Sequence, residues 1–369
     1  MIHFLRGASA ESLKGRVLLR LDFNTEDEWR LKSALPTIRF LLRYAEKIVI
    51  VSHKGRPIGF DKKFSLRASA KFLEKLLKRK IIFFPHFRFE KIKKTIAASP
   101  RGSIFLLENL RFLKGEWKND LKFAKKLASL ADYYVNEAFA VCHRANASVS
   151  AITRFLKSYA GLELENELKN LSKVMKNPQK PLTIVLGGAK AEDRLGIVKF
   201  LKNKVDWFLL GGAPANTLFL AEGIDIKDSV ALRRHPEKVR PFLKYPNIVL
   251  PIDFVFSGRK ILDASPKTVQ VFKEKISQAK TIVWNGPFGV IEKKRFEKGT
   301  LEIGKAIARN RRAFSVAGGG ETVMFLKKYG LDKKFSFIST GGGAMLDFLS
   351  GRKLPGIAAL ERRGGKKSK

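Results

Sequence analysis

Eight side chains in the first half of the chain are of the kinds that hold phosphate and carboxylate groups, and they fall just after apolar, strand-like runs. LLRLDFN ends in Asp22 and Asn24, and Arg30 follows shortly. IVIVSHKGRP brings His53 and Arg56, FLLENLRF brings Arg111, and VNEAFAVCHRA brings His143 and Arg144. A guanidinium is a planar fork that binds an oxyanion through two parallel hydrogen bonds. Any one of these arginines, taken singly, reads best as a surface residue. Four of them behind strand ends point to a receptor for phosphate and carboxylate groups.

The second half offers glycine in the corresponding places. Its turns are LGGAK (Leu186 to Lys190), LGGAPAN (Leu210 to Asn216), WNGPFG (Trp284 to Gly289), AGGGET (Ala317 to Thr322) and STGGGAM (Ser339 to Met345). Glycine lets backbone approach a ligand closely, and a helix that starts behind such a turn offers free N–H groups to phosphate. One such turn commonly serves only to turn the chain; five in one half argue for a nucleotide cradle.

Two other patterns carry less. GTLEIGKA (Gly299 to Ala306) nearly matches the P-loop, but it ends in alanine and reads as helix interior, whereas the P-loop needs a strand before it. Cys142 beside His143 suggests a thiol nucleophile; a small buried hydrophobe is the better reading. No Ser-His-Asp or Cys-His pairing stands out.

These residues need a scaffold that gathers strand ends. RVLLRLDF, KIVIVS, KIIFFP, SIFLLE and DYYVNE read as strands in the first half, and PLTIVLG, VDWFLLG, KTIVWN, AFSVAG and FSFIST in the second, with amphipathic stretches such as SLRASAKFLEKLLKRK between them. Alternation of this kind predicts an α/β fold with parallel sheets covered by helices on both faces. Ligands bind beyond the carboxyl ends of such strands. A chain of 369 residues, 45% hydrophobic, is too long for one ordinary core. We expect two doubly wound, Rossmann-like domains at 1–162 and 180–350. A charged interdomain helix at 163–179 joins them, 351–361 returns to the first domain, and 362–369 is a basic disordered tail.

The net charge of +39, from 73 Lys and Arg against 34 Asp and Glu, would by itself suggest a nucleic acid or an anionic surface. The lysines are spread over most of the chain, which favours a solvated basic surface. No apolar run is long enough to span a membrane, the start lacks a secretory signal, and a single cysteine excludes an internal disulfide framework. We expect a cytoplasmic monomer acting on small molecules, without membrane or nucleic-acid partners.

In order along the chain, RVLLRLDFN, ALPTI, SHKGRP, LLENLRF, KGEWKND, HRANAS, LGGAKAEDR, KTIVWNGPFGV, FEKGT, GGGET, FSFISTGGGAM and LPGIAAL resemble phosphoglycerate kinases, from about Arg16 to Leu360. The resemblance implies reversible transfer of a phosphoryl group between 1,3-bisphosphoglycerate and ADP, giving 3-phosphoglycerate and ATP, with Mg²⁺ accompanying the nucleotide. It places the acid substrate at Asp22, Asn24, Arg30, His53, Arg56, Arg111, His143 and Arg144. It places the nucleotide at Gly187, Gly188, Lys190, Asp193, Arg194, Gly211, Gly212, Asn285, Pro287, Val290, Glu292, Gly318, Gly319, Gly320, Glu321 and Thr322, with Glu321 on the metal. Arg30 and Lys190 would stabilise the moving phosphoryl oxygens, helped by the turn Gly341, Gly342 and Gly343. Domain closure would bring the two rims together.

This sequence departs from the family pattern in several places. The loop from Asn24 to Arg30 is short, Glu137 and Glu321 stand for aspartates, Asn146 for a second histidine, Arg194 for a lysine, and Ala213-Pro214 for Gly-Met. Three alternatives remain at this point: a kinase of the same fold for another acid, a nucleic-acid-binding protein without catalysis, and a purely structural α/β protein.

Overall fold

A computed structural model describes residues 1–24 and 28–362. The basic tail expected at 362–369 lies outside the described residues from 363 onward. The chain divides into two compact units: Met1–Leu168 with the segment from Lys353 onward, and Lys169–Arg352.

The sheet of the first unit holds β1 (Arg16–Arg20), β2 (Lys47–Val51), β3 (Ile81–Phe84), β4 (Ile104–Leu107), β5 (Tyr133–Asn136) and β6 (Lys157–Ala160), in the order β3-β4-β2-β1-β5-β6, all parallel. Its central strands are apolar runs buried on both faces, as a sheet covered by helices requires. The chain runs from β1 through β2 out to β3, turns back to β4, and then crosses to β5 on the other side of β1. The direction of winding therefore reverses between β1 and β5, which opens a crevice at their carboxyl ends.

The second unit repeats the plan with β7 (Leu182–Leu186), β8 (Trp207–Leu210), β9 (Ile248–Val249), β12 (Thr281–Asn285), β13 (Phe314–Gly318) and β14 (Phe337–Ile338), in the order β14-β13-β12-β7-β8-β9. Its reversal lies between β7 and β12. A separate antiparallel hairpin, β10 (Phe254–Ser257) and β11 (Lys260–Ala264), is absent from the strands expected from sequence, as are the single strands β6 and β9. The hairpin is half exposed and carries no long apolar run, so its strands resemble loop in the sequence.

The helix Leu162–Lys176 contains the boundary between the units. The short helix Pro355–Glu361 belongs to the first unit, where the Gly356 amide donates to the Cys142 carbonyl at 2.9 Å. The near-P-loop sequence lies inside the helix Lys298–Arg309. Cys142 is fully buried, and burial pushes its thiol up to about 12, far from a nucleophile at neutral pH. No helix among the described residues is long and apolar enough to cross a membrane.

Candidate active site

At the first unit's reversal point, the residues behind β1, β2, β4 and β5 meet. Asp22 Oδ1 accepts from the Asn24 amide at 3.0 Å, and Asn24 Oδ1 accepts from the Gly55 amide at 2.7 Å, which ties the turns after β1 and β2 together. His53 is fully buried behind β2, with Nδ1 3.7 Å from Asp22 Oδ1. Arg111, just beyond β4, donates through Nη1 to the Gly55 carbonyl at 2.6 Å and stacks 4.5 Å from the Trp117 ring centroid. Arg144 donates through Nε to His143 Nε2 at 3.0 Å, and Arg56 is exposed beside this group. Arg30 sits on the helix Glu28–Ser33, its guanidinium carbon 5.5 Å from the Trp29 centroid.

The sequence reading misses Arg20, the last residue of β1, because it alternates with apolar neighbours inside a strand. It is fully buried, and among the described residues its side-chain bonds go to a hydroxyl, a carbonyl and an imidazole. Its Nε donates to Ser148 Oγ at 2.8 Å, one Nη donates to the Leu21 carbonyl, and Nη2 lies 3.0 Å from His53 Nδ1. Guanidinium only donates, so Nδ1 accepts and the His53 proton sits on Nε2. Ser148 in turn donates to the buried carboxylate of Glu116 at 2.7 Å.

The electrostatics of this group favour an anion. Burial, then Arg20, Arg111 and Arg144, push His53 well below its ordinary value, so the ring is a neutral donor. Burial, then Arg20 and Arg144, lower Arg111 to about 9, which leaves it charged at neutral pH. The Nε and Nη2 atoms of Arg111 and the Nε2 atom of His53 have no hydrogen-bond partner among the described residues. Buried donors without acceptors are costly unless a ligand supplies them.

At the second unit's reversal point, glycine turns touch one another. The Gly187 amide donates to the Asn285 carbonyl at 3.0 Å, and the Gly188 amide to the Pro287 carbonyl at 2.7 Å. A Cβ on Gly187 would overlap the Pro287 carbonyl, and one on Gly212 would lie 2.9 Å from that of Gly188. The WNGPFG turn is anchored by Trp284, which is fully buried and donates through Nε1 to the Gly286 carbonyl at 2.9 Å. Truncating such a side chain to alanine costs about 3–5 kcal/mol.

Two neighbouring cavities open on these turns. One, of about 360 Å³, is lined by Lys190, Asp193, Arg194, Asn285, and the turns Gly319 to Thr322 and Gly342-Gly343. The other, of about 190 Å³, is lined by Gly188, Gly212, Pro287, Val290 and Glu292, and Glu321 faces both. Arg194 is buried, donating through Nε to the Gly187 carbonyl at 3.2 Å and through Nη2 to Asn285 Oδ1 at 3.0 Å. Burial lowers it, opposed by Asp193 and Glu321.

Four of the expected residues, Gly187, Gly211, Gly318 and Gly341, line neither cavity. A Cβ on Gly211 would overlap the Phe288 ring and one on Gly318 the Met345 sulfur, so both glycines permit close packing within the turns. The sequence reading also misses Asn216, Ser229 and the hairpin residues Lys260, Ile261 and Leu262 on the smaller cavity. The signal for the hairpin is Gly258, at φ 56°, between FVF and ILDA.

The sequence profile described as phosphoglycerate kinase matches residues 9–352. Among curated proteins, the phosphoglycerate kinase of Dictyoglomus turgidum is 40% identical over 383 residues, covering 95% of this chain and 97% of its own. That of Thermosipho africanus is 40% identical over 387 residues, covering 95% and 96%. The solved phosphoglycerate kinase from Coxiella burnetii superposes with a TM-score of 0.85 at 33% identity, over 99% of this chain and all of that one. The Pyrococcus horikoshii enzyme gives 0.84 at 32% identity, over 98% of each chain.

Proposed function

Because the chain belongs to the phosphoglycerate kinase family, a transferase of glycolysis, we propose that its first unit holds the phosphoglycerate and its second unit the nucleotide. The observation that carries this reading is the contrast between the two reversal points. One presents buried guanidiniums and a neutral imidazole donor, and the other presents glycine turns around paired cavities.

In this reading Arg56, Arg111 and Arg144 hold the phosphate that does not react, with His53 donating from Nε2. Asp22 and Asn24 orient the remainder of the acid. The nucleoside occupies the smaller cavity between Gly212, Pro287 and Val290, and its phosphates run into the larger one toward Lys190, Gly319, Gly320, Thr322, Gly342 and Gly343. Asn285 and Arg194 form part of that cavity's wall, and Asp193 and Glu292 face the ligand from its two ends.

The attacking group in the ATP-consuming direction is a carboxylate, ionised at neutral pH, so no general base is required. The chain's work is positioning and charge stabilisation of a loose phosphoryl transition state. Lys190 and Arg30 meet the charge on the transferring oxygens. Because the substrates are assigned to different units, transfer requires the rims to come into line, which also excludes the water that would hydrolyse the acyl phosphate.

Among the described residues, no group of three or more His, Cys, Asp or Glu side chains comes together to hold a metal. Mg²⁺ in phosphoryl transfer is held by one or two carboxylates together with the substrate phosphates. Glu321, exposed on the wall of both cavities, is the carboxylate that would hold it. Bound with the nucleotide, the ion would neutralise phosphate charge.

Calorimetric titrations test the division of labour. Arg111→Gln should abolish measurable binding of 3-phosphoglycerate and leave ATP affinity unchanged. Gly212→Val should do the reverse. A variant that loses both ligands with its fold intact contradicts the assignment.

A further inference from the structure

We propose that Thr300 and Asp263, which line neither of the two cavities described above, are positioning residues that hold the loop Gly286–Glu292 in the shape that receives the nucleoside. The inference rests on the assignment of the second unit to the nucleotide and extends it to residues behind the binding surface.

The loop leaves β12 at the reversal point, and Pro287, Phe288, Gly289 and Val290 form one wall of the smaller cavity. It has no regular structure of its own, so its buried amides need acceptors from elsewhere. Phe288 and Gly289 both donate to the single hydroxyl oxygen of Thr300, each at 3.1 Å. Those two bonds use both lone pairs of that oxygen. Val290 donates to the Leu262 carbonyl at 2.9 Å, which fastens the loop to the hairpin.

Thr300 is fully buried in the first turn of the helix Lys298–Arg309, and Asp263 fixes that turn. The Asp263 carboxylate accepts from the Gly299 amide at 2.8 Å and from the Ala264 amide at 2.9 Å. The packing leaves no slack. A Cβ on Gly289 would overlap both Asp263 Oδ1 and the Phe296 carbonyl, and one on Gly299 would come within 2.5 Å of Asp263 Oδ1. Position is thus passed from the end of β11 to the helix start, from there to the Thr300 hydroxyl, and from the hydroxyl to the cavity wall.

A purely architectural role would lower stability without choosing between substrates. A positioning role predicts a split. Thr300→Val keeps the shape and removes both acceptors, and it should raise the KM for ATP about tenfold. The KM for 3-phosphoglycerate should stay within about twofold, with kcat little changed. Thr300→Ser, which keeps the oxygen, should restore the KM for ATP. An unchanged KM for ATP in Thr300→Val, or equal changes in both KM values without rescue by serine, would overturn the proposal.

Amide hydrogen exchange on the unaltered protein covers the case in which the valine variant fails to fold. Phe288 and Gly289 should exchange as slowly as β12 without nucleotide; exchange at the rate of exposed loop amides would overturn the proposal. If the unaltered protein does not saturate with ATP, the nucleotide assignment fails, while the exchange rates still report separately on Thr300.

Discussion

The Nη2 atom of Arg194 donates to Oδ1 of Asn285 across 3.0 Å, and this bond decides which way the Asn285 amide faces. Guanidinium has no acceptor, so the oxygen must point to Arg194 and the amide nitrogen away from it. That nitrogen is buried, lies 3.1 Å from where a Gly319 Cβ would be, and has no partner among the described residues. It is a donor on the wall of the larger cavity, held in register by an arginine that also grips the Gly187 carbonyl.

Arg194→Lys should therefore weaken nucleotide handling even though charge is conserved. A single ammonium on a flexible stem does not reproduce the fork that reaches both Gly187 and Asn285. Initial-rate kinetics should show the KM for ATP raised several-fold, corresponding to about 1 kcal/mol, with the KM for 3-phosphoglycerate unchanged.

His53 should resist protonation. Its Nδ1 accepts from Arg20, and three guanidiniums surround it in a buried site. Long-range ¹H–¹⁵N NMR should find a neutral ring protonated on Nε2 through the range in which an ordinary histidine titrates. Arg20→Gln should raise its pKa toward the ordinary value and raise the KM for 3-phosphoglycerate.

Stability should fall as pH rises from 6.5 to 8.5. Glu137 accepts from the Thr37 hydroxyl and from the Glu163 amide at the start of the helix Leu162–Lys176. Burial raises Glu137 from 4.5 to about 7, and burial together with Glu167 and Glu137 raises Glu163 from 4.5 to about 8. A folded pKa above the unfolded one means that the folded state binds more protons. The contribution is whole below pH 4.5 and is lost as pH rises through those folded values. His53 acts in the opposite sense, with stability lost as pH falls below its unfolded value near 6.5, so it is silent in this window. Denaturant melts of Glu137→Gln should show a flatter pH dependence and a gain of roughly 1–3 kcal/mol at pH 8.5.

The net charge of +39 should act on encounter. Both substrates are polyanions, and a cationic surface raises their association rate until salt screens it. Increasing KCl from about 20 to 200 mM should lower kcat/KM for 3-phosphoglycerate several-fold and alter kcat little.

The parallel sheets and most of the cationic rim were legible because parallel strands are plain apolar runs and their functional residues follow immediately. Asp22, His53 and Arg111 could be picked out on that basis. Arg20 could not, since a charged residue inside a strand pattern reads as an outward-facing position, yet here it lies beneath the rim. Glycine spacing marked the turns but not which glycines face the cavities. Gly211 and Gly318 need close approach to Phe288 and Met345, and a sequence does not distinguish a protein neighbour from a ligand. The hairpin Phe254–Ala264 was missed for want of apolar contrast, and Lys260, Ile261 and Leu262 on the smaller cavity were missed with it. Thr300 closes the motif FEKGT, but its positioning role has no mark in the sequence, because it depends on two amides twelve and eleven residues earlier.

In the proposed reaction, phosphate passes between two separately built rims, with Lys190 and Arg30 carrying the charge. A coupled assay with 3-phosphoglycerate, ATP and Mg²⁺ tests it most directly, comparing the unaltered chain with Lys190→Ala and Arg30→Ala at saturating substrates. Each substitution should lower kcat by about a hundredfold or more, with both ligands still bound. Turnover at the unaltered rate in either variant would contradict it.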